Sequence, residues 1–184
     1  MISVKKYFSV ISSAVVFGFG LLLYYSGEMS DHAAWSLIVS GVNHSAWELF
    51  KPFALSYISF IIIELSYLRP SLLRFVCSKI TGLHMLCAFT LAAGCICRLL
   101  PDETFFAAMP TAAGAGVLIS ELSSYCLYKK GIRTELFAVP LLLSLAAMIF
   151  LLIILTFYPP HFIIFHDPIS DLYGRMMDSM EQMP

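Results

Sequence analysis

Between Val42 and Phe53 the chain reads V-N-H-S-A-W-E-L-F-K-P-F. Asn43, His44, Glu48 and Lys51 bring an amide, an imidazole, a carboxylate and an ammonium within nine positions. A carboxylate near an imidazole is a pairing that general acid–base catalysis uses. At about 100° per residue on a helix, Asn43, His44, Trp47, Glu48 and Lys51 fall within an arc of about 140°. Ala46, Leu49 and Phe50 take the opposite arc. Ser45-x-x-Glu48 reads as a capping box, in which each side chain satisfies a free N–H at a helix start. Trp47 suits a membrane interface, where an aromatic ring anchors a span. Capping and anchoring account for Ser45 and Trp47. Asn43, Glu48 and Lys51, with His44 beside them, are left for binding or chemistry.

Two further groups carry reactive side chains. The tail from Thr156 to Gly174 supplies His161, His166, Asp167, Asp171 and Tyr173. Pro159-Pro160 cannot continue a helix, and Asp167-Pro168 specifies an extended, turned path. This segment is expected to fold back as a lid. His44, Glu48, His161, His166 and Asp167 are types that suit a divalent metal. No H-E-x-x-H or comparable signature is present, so no metal and no cofactor is assigned. The third group is Glu64, His84 and Glu121, each inside an apolar run. Their depths from the same end of the spans are roughly 7, 7 and 12 Å by residue count. Ionisable groups at such depth are costly unless paired or wet. The three are expected to meet at one level. G-x-S-x-G and phosphate-binding glycine loops are absent from the sequence.

The elements that must hold these residues are membrane helices. The 184 residues are 59% hydrophobic and 12% charged, with a mean hydropathy of +0.84. A soluble domain carries about twice that charge. Five apolar runs, at 7–25, 52–68, 80–98, 105–128 and 136–158, suffice to cross a hydrocarbon core of about 30 Å. The chain is thus expected to be all-α, a single polytopic helical membrane domain of about five transmembrane helices followed by a tail at 159–184. Lys5 and Lys6 precede the first run, which lacks a small-x-small cleavage site and reads as a retained helix. A net charge of −1 gives no footprint for nucleic acid. Cys77, Cys87, Cys95, Cys97 and Cys126 lie in or beside apolar runs, as small apolar residues do.

Orientation follows from lysines and arginines near the spans. Lys5, Lys6, Arg69, Arg74, Lys79, Lys129, Lys130 and Arg133 fall on one side; Lys51, Arg98 and Arg175 fall on the other. The richer side should be cytoplasmic, which puts the N-terminus inside and the C-terminus outside. The motif at 42–53 and the tail then share the outer face. In the fourth span Ala108, Ala112, Gly116, Ser120 and Ser124 recur every four residues. Such a stripe lets a second helix approach closely, in this chain or in another copy of it.

The opening stretch resembles the N-E-S-x-W-E-H-x-K signature of a bacterial integral-membrane family known only as a domain of unknown function. Asn43, Ser45, Trp47, Glu48 and Lys51 match; His44 stands where the pattern has Glu, and Leu49 where it has His. The tail is similar too. Y-P-P-H-x-x-x-F-x-D-P from Tyr158 to Pro168, then Tyr173-Gly174, looks like the family's C-terminal motif. The resemblance follows the helix order over most of the chain. It implies the same architecture, paired outer motifs and a bacterial cytoplasmic membrane as the address. It brings no assigned activity.

Three functions remain open on the sequence. One is a binding, accessory or scaffold role with a polar site on the extracytoplasmic face. The second is a membrane-embedded enzyme acting on a lipid or other amphiphile, with Glu48 and a histidine as acid and base. The third is an oligomeric transporter or channel with Glu64 and Glu121 as coupling groups. The partners expected are the bilayer and, through the fourth-span stripe, a second copy.

Overall fold

A computed structural model describes residues 2–30, 34–68, 71–130, 133–171 and 173. Arg69, Gly174 and Arg175 lie outside the described residues, as do the side chains of Lys5 and Lys6. Among the described residues six α-helices follow one another: α1 (Ile2–Met29), α2 (Ala34–Val39), α3 (Ala46–Leu68), α4 (Leu72–Cys97), α5 (Asp102–Lys129) and α6 (Ala138–Phe157). All but the short α2 are long and apolar enough to cross a membrane. The described residues contain no strand, and one isolated bridge joins His166 to Tyr173. The all-α, five-span architecture read from the sequence is therefore the observed one.

Four of the five spanning helices begin earlier than their apolar runs do. α3 starts at Ala46 rather than at 52, and α4 at Leu72 rather than at 80. Hydropathy breaks at a charge, but a helix does not, provided the charge finds a partner. Lys51 and Lys79 both lie inside helices, and both are buried. The connector read at 69–79 is accordingly short, and Lys79 belongs to the bundle rather than to a loop.

α3 is the central helix. Its span is 56% buried, against 11% for that of α6. It packs between α1 and α4, while α5 lies along α4 and α1. Phe50, Phe53 and Tyr57 of α3 meet Val16 of α1, Leu83 and Leu86 of α4 and Val117 of α5 in one apolar core. α6 touches α4 and α2 and turns Leu143, Phe150 and Ile153 outward. Such an apolar outer face is what lipid requires of a peripheral span.

The small-residue stripe on α5 serves packing within the chain. A Cβ at Gly116 would stand 3.2 Å from Leu86 and from Phe89 of α4. Ser124 bonds Tyr57 of α3 at 2.7 Å, and Ser120 and Ser124 are fully enclosed. The close approach that the stripe predicts is made within the chain by α4 and α3.

Candidate functional site

The helix ends gather the polar side chains into two clusters at opposite ends of the bundle. At the end where α3 begins, the chain turns through 40–45 before entering the helix. Asn43 Oδ1 accepts the Ser45 N–H at 2.9 Å, and Ser45 Oγ accepts the Glu48 N–H at 3.3 Å. The first is an Asx-type turn and the second is one arm of the expected capping box. The other arm is missing, because Glu48 is used elsewhere. Its Oε2 accepts the Val42 N–H at 2.9 Å and lies 2.7 Å from Lys51 Nζ.

Lys51 is the knot of this cluster. Its side chain is 0% exposed. Besides Glu48, the ammonium donates to the Leu37 carbonyl at 2.8 Å and to Thr156 Oγ1 at 3.3 Å. One cation therefore ties α2, α3 and the end of α6. An ammonium has three donors, and all three are engaged. Trp47, expected as an interfacial anchor, is buried. Its ring packs against Phe50 and, at 5.3 Å between centroids, against Phe165 of the tail. The tail covers the ring, and the indole N–H has no acceptor among the described residues.

The tail does fold back, over the ends of α3 and α4. Phe165 is buried, and so is Asp167, whose oxygens accept the Ile169 N–H and the Ser170 hydroxyl, both at 2.9 Å. Asp167 is thus the organiser of the turn. Arg98, just past α4, donates to the Ile163 carbonyl and to His166 Nδ1, the latter at 2.5 Å. An arginine can only donate, so His166 carries its proton on Nε2. That N–H reaches Asp171 Oδ1 at 2.8 Å. Asp171 has φ of 57°, a left-handed conformation that aspartate tolerates. His161 stacks on Tyr173 at 4.7 Å, and both are exposed.

The outer-site residues read from the sequence are thereby sorted. Asn43, Glu48, Lys51 and Trp47 are interior, whereas His161 faces out. His44 is half-buried, with Nδ1 3.2 Å from the Tyr24 hydroxyl and its ring edge-on to Phe106. The ion partner of Glu48 is a lysine, Lys51, and not a histidine. His44, Glu48, His161, His166 and Asp167 do not form one ligand set either. Among the described residues no three His, Cys, Asp or Glu come together to hold a metal ion.

The second cluster lies near the α3–α4 turn. Lys79 Nζ is 2.5 Å from Glu64 Oε2 and 2.9 and 2.7 Å from the two oxygens of Glu121. Ser12 of α1 donates to Glu64 Oε1 at 2.9 Å. Four helices thus contribute to one buried ion triad. Lys79 also lies 5.3 Å from the centre of the Tyr57 ring and 5.7 Å from that of Phe75. Glu64 and Glu121 meet, as expected, but His84 does not join them. Its Nδ1 is 2.7 Å from the Ile80 carbonyl, one turn back on its own helix. Lys79 takes that place, and sequence reasoning missed it by assigning it to a loop. A signal was available: Lys79 stands directly before an apolar run, a position that a helix extended backward would bury.

No protein-family model matches the chain, and no curated protein or solved structure is significantly similar to it.

Proposed function

We propose that the chain is a multi-pass protein of the bacterial cytoplasmic membrane with a binding, accessory or scaffold role. The polar site at the α3 start divides into a buried support and an exposed face. The observation that carries this reading is the Lys51 ammonium, enclosed and fully engaged by Glu48, Leu37 and Thr156. Such a group has no donor to offer a substrate. It fixes the helix ends on which the tail rests. The exposed His161–Tyr173 stack, with Asp171 beside it, is then the face that meets a partner or ligand outside the membrane.

The test separates support from chemistry. Breaking a buried ion pair by removing one member costs about 3–5 kcal/mol, whereas replacing both members by apolar groups can be neutral. Lys51→Met should therefore lower the melting temperature and abundance of the purified protein, and Glu48→Leu combined with Lys51→Met should recover much of both. His161→Ala and Tyr173→Ala should leave melting unchanged and reproduce the cellular phenotype of a deletion. A Glu48→Gln protein with normal melting and abundance but no cellular activity would overturn the support reading and favour an enzyme.

A further inference from the structure

Lys79 is one cation for two carboxylates. Both aligned hydrogen bonds of its ammonium go to Glu121. Glu64 Oε2 touches the same nitrogen, yet it accepts no aligned hydrogen bond and is fully buried. With both carboxylates ionised, the cluster holds one uncompensated negative charge. The side chains of Glu64, Lys79 and Glu121 are 3%, 6% and 3% exposed, so bulk water scarcely reaches that charge.

Among the described residues the surrounding elements bring no second cation. From α1 come Ser12, bonded to Glu64, and Ser9 one turn earlier. From α3 comes the Tyr57 hydroxyl, bonded to Ser124 of α5. On α4, Arg74 is turned to the Tyr128 carbonyl and His84 to the Ile80 carbonyl. α6 contains no ionisable residue. A buried charge without a partner is strongly disfavoured at this depth. Two carboxylates that share a site are ordinarily relieved by one proton.

We propose that the Glu64–Lys79–Glu121 triad is a binding site for a single exchangeable proton. The proton comes from water and adds to a carboxylate oxygen, and the cluster becomes neutral. This site lies at the opposite end of the bundle from the binding face proposed above and does not depend on that reading.

Infrared spectroscopy of the full-length protein in lipid bilayers tests the site. The wild type should show a carboxylic-acid C=O band that shifts in D2O. Glu64→Gln and Glu121→Gln each remove one of the two carboxylates whose excess charge makes the proton necessary, so the band should be lost in each. Lys79→Met removes the cation, and the band should grow. A wild-type spectrum with no D2O-sensitive carboxylic band overturns the proposal without any variant. A band that survives both glutamine substitutions places the proton elsewhere and also overturns it. A band seen only when sodium is withheld makes the triad a metal-cation site, and the proton assignment falls.

Discussion

Lys79 and Lys51 are the two lysines that a hydropathy reading pushes out of the membrane and that the fold draws in. Each is buried and each ends on carboxylate. The energetic roles differ. Lys51 has one carboxylate and two neutral acceptors, so its cluster is balanced. Lys79 has two carboxylates, and removing it leaves both without a cation. Lys79→Met should therefore destabilise the protein by about 3–5 kcal/mol, as loss of one member of a buried ion set does. Heat denaturation in detergent measures this. Adding Glu64→Gln and Glu121→Gln to the same chain should return much of the loss. A triad of purely decorative contacts would show neither the loss nor the recovery.

At the scale of elements, the α4–α5 contact depends on side chains that are absent. A methyl group at Gly82 would overlap the Ser124 hydroxyl and lie 2.5 Å from the Tyr57 hydroxyl and 2.8 Å from the Ser120 carbonyl. The last of these is backbone and cannot rotate away. Gly82→Ala should cost about 1–3 kcal/mol, the usual range for overpacking, and it should splay α5 from α4 beside the triad. Gly18 on α1 has nothing within 4 Å of the same position, so Gly18→Ala should be neutral or slightly stabilising. Paired melting curves of the two variants check the contrast. The helices themselves were legible in the sequence, since five apolar runs and their order are observed. What the sequence of one segment does not carry is the identity of its partners. Lys79 meets Glu121 across 42 residues, and Lys51 meets Thr156 across 105. The helix starts at Ala46 and Leu72 depend on those distant partners, which is why hydropathy placed them too late. The capping turn at Asn43 and Ser45 was legible because its partners are local. The burial of Trp47 was not, because the residue that covers it, Phe165, arrives from the far end of the chain.

For the whole molecule, the two clusters mark opposite ends of the bundle, and the charge asymmetry predicts which end faces the cytoplasm. Lys79 and Lys51 now count as interior, one removed from each side, and the excess of lysine and arginine remains on the end that holds Lys129, Lys130 and Arg133. Those three flank the α5–α6 connection, and the described charges there are exposed. Positively charged flanks stay in the cytoplasm. The triad should accordingly lie toward the cytoplasmic side, and the tail with His161 and Tyr173 toward the outside. A pair of reporters checks this, one active only in the cytoplasm and one only outside. Fused at the α5–α6 connection, the cytoplasmic reporter should be active; fused after the last residue, the external one should be. The opposite pattern would turn the exposed His161–Tyr173 face into the cytoplasm. It would remove an external ligand from consideration and leave the buried Lys51 knot unchanged, because that knot depends on packing and not on which side faces out.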